Sequence, residues 1–210
     1  MPLPGTKSLA RLGQLAVDAE DSKALQALAS LPGPFLPWSG SSMRPAAIVA
    51  ILSDVLVNER RTIVECGSGN STVFTARLLT QLGDGGHVHS LDDHADWATV
   101  TQRALEREGL QSLASVVHAP LMNGWYDRAR MPEVSGIDLL VVDGPPAYER
   151  ETARSREPAL EVFWERLAPG ATIVLDDSWR EGEQQVISAW EQRYGIKFAH
   201  QAAGLAVART

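Results

Sequence analysis

Five short apolar runs recur along this chain: TIVEC (62–66), HVHSLD (87–92), SVVHA (115–119), IDLLVV (137–142) and ATIVL (171–175). Stretches with the apolar spacing of helices accompany them, at 70–82, 95–108, 153–167 and 182–194. Strand and helix in alternation predict a parallel sheet covered on both faces. IDLLVV is apolar throughout, as a strand buried on both sides has to be. The tail, IKFAHQAAGLAVART, breaks the pattern: two short strand-like pieces flank Ala203-Gly204 with no helix between them. That spacing predicts a hairpin, and so an antiparallel pair closing the sheet. The expected fold class is α/β, a doubly wound sheet of seven strands, mostly parallel, with an antiparallel C-terminal hairpin.

The chain has 210 residues, enough for one such domain. Residues 1–44 are expected to be N-terminal helices and a loop rich in Pro and Gly that caps the site, with the main domain over 45–210. Leu9, Leu12, Leu15, Leu25, Leu28 and Leu31 supply the apolar stripe of one or two short helices, which also offer a surface for a homodimer contact. A strongly apolar helix, AAIVAILSDVLV, is expected after Pro45. Net charge is −7, which argues against a nucleic-acid partner, since phosphate binding needs a basic face. The single cysteine, Cys66, rules out an internal disulfide and reads as a small core residue. No apolar run reaches the ~20 residues that span a bilayer, and MPLPGTKSLARLGQ lacks the pattern of a signal peptide. A cytoplasmic protein without a membrane partner is the expectation.

In open α/β sheets ligands sit beyond the carboxyl ends of the strands. The first run ends in Glu65-Cys66-Gly67-Ser68-Gly69, the second in Asp92-Asp93, the third in His118-Ala119-Pro120, the fourth in Asp143-Gly144-Pro145-Pro146 and the fifth in Asp176-Asp177. Gly67 and Gly69 let backbone approach a ligand closely, and the following helix start offers free N–H groups. Asp92 stands where an acid can accept from ribose hydroxyls. Taken singly, Asp92 or Asp143 could equally be a turn or cap residue. Together, several carboxylates facing one crevice repel one another unless a cation or a hydroxyl-rich ligand sits among them.

A dinucleotide fingerprint would need a third glycine at position 72, which is Thr72. Glu65 beside the glycine loop also disfavours a bound phosphate. An acid there suits an ammonium group, and S-adenosylmethionine offers an ammonium, a ribose and a sulfonium.

VECGSGNST resembles motif I of the class I S-adenosylmethionine-dependent methyltransferases, an acid followed by GxG. HSLDDHADW resembles their second strand with its ribose-binding acid, IDLLVVDGPP their motif IV, and LAPGATIVLDD their fifth strand. PWS, APL, WYD, REPAL and LDDSWR further resemble a group of small bacterial methyltransferases. The resemblance covers roughly residues 37–208 and implies a Rossmann-like fold. It implies that Glu65, Gly67, Ser68, Gly69, Ser71 and Thr72 line the methionine end, that Asp92 binds ribose, that Ala119 lies near adenine, and that Asp143 lies near the sulfonium and the acceptor.

A second resemblance is to the metal-dependent O-methyltransferases of the catechol type, which carry one acid after the fourth strand and an acidic pair after the fifth. It implies Asp143, Asp176 and Asp177 as ligands of Mg²⁺; alternatively Asp176 faces the sheet interior or caps the next helix while Asp177 acts alone. Asp143, near the acceptor, and Asp177, as metal ligand or base, are the candidate catalytic residues. The acceptor expected is an oxygen, or less readily a nitrogen, of a small molecule, a sugar or a peptide. An NAD(P)-dependent oxidoreductase and a non-catalytic S-adenosylmethionine-binding protein are the competing readings. His94 and His118 are candidate bases or solvated residues. Trp38, Trp125, Tyr126 and Trp179 are candidate walls of the acceptor site or surface packing. Arg150, Arg154 and Arg156, interleaved with glutamates, read as a solvated paired helix face or as a grip on an anionic acceptor. Arg180 reads as neutralising the acidic pair.

Overall fold

β-branched and leucine-rich runs can stack as strands only if both faces are covered. The computed structural model describes residues 6–83, 85–201 and 203–210, with side chains from Leu12 onward, and pairs the runs in this way. The chain opens with helices α1 (Thr6–Leu28) and α2 (Pro45–Val57). It continues with β1 (Thr62–Cys66), α3 (Asn70–Leu82), β2 (His87–Asp92), α4 (Ala95–Glu108) and β3 (Ala114–His118). A small hairpin of β4 (Leu121–Met122) and β5 (Trp125–Tyr126) precedes β6 (Ile137–Val142) and α5 (Pro158–Phe163). Then come β7 (Leu167–Leu175), α6 (Glu181–Tyr194), β8 (Ala199–His200) and β9 (Ala206–Arg209). The main sheet has seven strands in the order β3-β2-β1-β6-β7-β9-β8. β9 runs antiparallel to β7 and β8, and the other pairs are parallel. The terminal hairpin is thus where the sequence puts it.

Period-two alternation divides the core into two clusters, one on each face. Ile63, Leu139, Val141 and Val174 point to the face covered by α2, α3 and part of α4. Val64, Leu140, Val142, Ile173 and Leu175 point to the other, with Phe163, Val186 and Trp190 from α5 and α6.

Several elements differ from the sequence expectation. The N-terminal segment is one helix of 23 residues. Its stripe is not one buried face: Leu28 and Leu31 are buried, whereas Leu12, Leu15 and Leu25 are exposed, and the side chain of Leu9 lies outside those described. The hairpin β4–β5 lies between the third and fourth apolar runs, outside the seven strands expected. Its turn is Asn123-Gly124, both at positive φ (56° and 82°), the residue pair a two-residue hairpin prefers. The helix expected over 153–167 shrinks to Pro158–Phe163 plus a 3₁₀ turn at Trp164–Arg166. Pro158 occupies the first helical turn, and before it Arg156 is anchored to the carbonyls of Pro145 and Asp176, so the chain runs in turns. β7 begins at Leu167 rather than Ala171, its register against β6 shifting between Ile137 and Leu139, where Pro169-Gly170 is accommodated as a bulge.

Arg77 fixes the loop that precedes α2. Its guanidinium holds Glu108 at 2.7 and 2.8 Å, joining α3 to α4, and donates to the carbonyls of Pro34 (2.9 Å) and Leu31 (3.3 Å). Both partners of the ion pair are largely buried, with side-chain exposures of 8% and 7%. Removing one partner would strand a buried charge. Arg77→Ala is therefore expected to lower the free energy of unfolding by about 3–5 kcal/mol, measured by urea denaturation. A loss below about 1 kcal/mol, the scale of a surface pair, would show that the loop is held by other means.

Candidate active site

β1 and β6 are neighbours in the sheet, but β1 leads toward β2 on one side and β6 toward β7 on the other. The crevice beyond their carboxyl ends is the switch point at which such sheets bind ligands. The two loops there are tied together: the amides of Asp143 and Gly144 both donate to the Cys66 carbonyl, at 2.9 and 2.7 Å. Such close approach requires glycine. Gly67 sits at φ +96°, and a Cβ on Gly144 would lie 2.3 Å from the Tyr126 hydroxyl oxygen.

A cavity of about 230 Å³ opens at this point. Gly67, Ser68, Gly69 and Ser71 form its floor, Asp92 and Asp93 one side, and Asp143 its far end. Pro37, Ser39, Ser41 and Ser42 of the loop before α2 form its roof, held by a hydrogen bond from the Asn70 side-chain Nδ2 to the Pro37 carbonyl (3.2 Å). Sequence reasoning did not find Trp97, Thr101 and Tyr148, which complete the wall. An aromatic in the first turn after an acidic strand end was the available signal for Trp97.

Glu65, Thr72 and Ala119 stand behind this wall, 3%, 0% and 0% exposed. The Glu65 carboxylate accepts hydrogen bonds from the hydroxyls of Ser71, Thr72 and, at 2.6 Å, Ser90. The acid therefore braces the glycine loop from beneath. Burial pushes its pKa up from 4.5 to about 7, against the three hydroxyls, which favour the charged form.

Asp92 is similarly engaged. One oxygen accepts from the Ser68 amide (3.1 Å) and hydroxyl (2.5 Å), the other from the His94 amide (2.9 Å). A carboxylate has about four acceptor positions, so about one remains for a ligand. Asp93 faces the same cavity, its pKa raised by burial and by Asp92.

Asp143, Asp176 and Asp177 do converge: one oxygen from each lies within 4.8 Å of the others. Arg156 joins them, which corrects its reading as a solvated residue. It is 2% exposed, with Nη2 3.5 Å from Asp143 and 3.2 Å from Asp177. Arg180 Nη1 lies 2.9 Å from Asp177 as an ion pair, in line with its expected neutralising role. Asp177 itself adopts φ +58°, a conformation costly for a residue with a Cβ. Burial above all, then Asp143 and Asp177, raise the pKa of Asp176 well above the ordinary carboxylate range. Burial likewise raises that of Asp143, opposed by Arg156.

The aromatic residues divide. Trp125 and Tyr126 are core residues, 5% and 1% exposed, so they form neither a lid nor a surface. Trp179 is 69% exposed and packs on the Arg180 guanidinium at 5.4 Å.

The raised pKa of Glu65 links stability to pH. Glu65 takes up its proton more readily in the folded than in the unfolded chain, so its contribution is complete below pH 4.5 and is lost as pH rises through about 7. Glu65→Gln stays neutral throughout. Between about pH 5 and about pH 8 the wild type is expected to lose up to about 3 kcal/mol of stability relative to Glu65→Gln, measured by denaturant titration at each pH. Parallel pH profiles for the two proteins would refute this.

Known proteins share the family and the fold. The family model described as "Methyltransferase domain" matches residues 64–178. No curated protein matches the sequence significantly. Among solved structures, the O-methyltransferase from Bacillus cereus in complex with SAH is similar with a TM-score of 0.58 at 17% identity, covering 95% of this chain and 97% of that one. The SAH-bound Podospora anserina methyltransferase is similar with a TM-score of 0.68 at 10% identity, covering 100% and 98%. The Streptomyces achromogenes O-methyltransferase involved in tomaymycin synthesis, in complex with SAM, gives a TM-score of 0.55 at 19% identity, covering 91% and 89%. With more than half its length matched and all seven strands in place, this chain belongs to the methyltransferase-domain family and has the Rossmann-like fold of the class I S-adenosylmethionine-dependent enzymes.

Proposed function

We propose that the protein transfers the methyl group of S-adenosylmethionine to an oxygen of a small-molecule, sugar or peptide acceptor. The observation that carries this reading is the cavity itself: a glycine floor, a ribose-competent acid and a carboxylate end, with no lysine or arginine among its described lining residues. Such a lining disfavours the pyrophosphate of NAD(P), whose binding needs donors and positive charge. It suits a ligand carrying an ammonium and a sulfonium. The solved neighbours that hold SAH or SAM support the same choice of cofactor.

The residues present fit that cofactor. Gly69 leaves open space where a side chain would project, and its φ of 161° is ordinary extended backbone. Ser68 and Ser71 line the cavity beside it, their hydroxyls held by Asp92 and Glu65. Asp92 offers its remaining acceptor position, with Asp93 adjacent, to ribose hydroxyls. Glu65 acts through the loop, orienting Ser71 and Thr72. When bound, the cofactor supplies an electrophilic methyl group on sulfur, and the chain has to align an acceptor and keep water out. The roof loop and Tyr148 exclude water. Asp143, the carboxylate at the end of the cavity, holds the acceptor hydroxyl by a hydrogen bond and takes its proton as the new carbon–oxygen bond forms, its raised pKa suiting it to that task. Asp177 acts behind it by fixing the charges of Arg156 and Arg180. Residues 1–44 serve as the cap over a catalytic domain spanning 45–210.

Calorimetry with S-adenosylhomocysteine tests the cofactor. Saturable binding is expected for the wild type. Gly69→Asp is expected to fold normally, since its side chain enters open space, and to bind at least tenfold more weakly, about 1.4 kcal/mol or more. Retained affinity in a folded Gly69→Asp would remove the glycine loop from the site.

A further inference from the structure

The catechol-type enzymes that the sequence resembles would place a divalent cation at Asp143, Asp176 and Asp177. Three carboxylate oxygens are the right donors for Mg²⁺, but the charge they would neutralise is already met from within the chain. Each of the five N–H donors of Arg156 has an acceptor. Nε donates to the Pro145 carbonyl (3.3 Å), Nη1 to the Asp176 carbonyl (3.1 Å) and to Asp177 (3.2 Å), and Nη2 to Asp177 (3.2 Å) and Asp143 (3.5 Å). Nη1 also lies 3.4 Å from Glu183, which is 1% exposed and reaches the cluster from α6. A guanidinium so held has no solvent to retreat into. Arginine keeps its positive charge in proteins, so this buried guanidinium is a fixed cation among the carboxylates.

Arg156 and Arg180 already bring to Asp143, Asp177 and Glu183 the two positive charges that a divalent ion would bring. An ion there would stand beside a buried guanidinium that bonds one oxygen of Asp143 and one of Asp177, and displacing Arg156 would leave its N–H groups without acceptors.

We propose that Arg156 is the resident cation of this carboxylate cluster and that the protein binds no divalent metal there. The cluster then serves methyl transfer, as read above, by holding Asp143 at the cavity end through a side chain rather than through an ion. The family likeness in carboxylate placement would persist while the metal chemistry is replaced.

The test is metal binding itself, with no cofactor or acceptor present, so its outcome is independent of whether S-adenosylhomocysteine binds. Chelator-treated wild-type protein is titrated with Mn²⁺ alone, free ion being read by electron paramagnetic resonance, and with Mg²⁺ alone, the thermal midpoint being followed. All added Mn²⁺ is expected to remain free, and Mg²⁺ is expected to leave the midpoint unmoved. Arg156→Gln removes the cation and keeps the carboxylates; it is expected to gain saturable Mn²⁺ binding, which Arg156→Gln combined with Asp176→Asn loses. Saturable Mn²⁺ uptake by the wild type that Asp176→Asn abolishes would overturn the proposal. So would a folded Arg156→Gln that stays blind to Mn²⁺. Should Arg156→Gln fail to fold, the wild-type titration decides alone.

Discussion

One buried guanidinium gathers the ends of three elements. Arg156 reaches the loop after β6 through Pro145 and Asp143, the loop after β7 through Asp176 and Asp177, and the first turn of α6 through Glu183. Each contact is weak alone, and burial makes their loss expensive because a stranded charge has no water to turn to. The position of Asp143 at the cavity end depends on this arrangement. A second braced unit lies under the glycine floor, where Glu65 binds three hydroxyls drawn from α3 and β2. The site is therefore supported by two buried acid networks, one closed by hydroxyls and the other by arginine.

The fold was legible because it depends on period. Runs of four to six apolar residues between helical stretches leave few ways to cover two faces, and the tail hairpin announced itself by lacking a helix. Asn123-Gly124 was an equally clear turn signal, overlooked because the flanking strands are only two residues long. The extent of the helix before β7 was not legible: its shortening depends on where Arg156 bonds, which is a tertiary fact.

The site was legible in part. Asp92, Asp143 and the glycines could be placed because strand ends face one crevice. The part played by Glu65 could not, because Ser90, one of its partners, lies 25 residues away on a neighbouring strand, brought alongside by the Glu65–Ser90 pairing of β1 with β2. Arg156 stood among glutamates in a pattern that normally marks a solvated face, and only the turns at 149–157 carry it inward. Trp125 and Tyr126 read as a wall of the acceptor site or as surface packing and are core, since a hairpin too short to recognise buries them. Among the described residues, no helix is long and apolar enough to cross a membrane.

Asp177 carries a conflict within a single residue. Its backbone lies at φ +58°, where glycine would rest without strain, yet glycine has no carboxylate to place between Arg156 and Arg180. Selection for a hardier fold and selection for charge placement thus pull the same codon in opposite directions. A search for stabilised variants that scores folding alone would converge on glycine or asparagine there and would dismantle the counter-charge of both arginines. The strained aspartate marks where this fold trades durability for the ability to keep two cations in place.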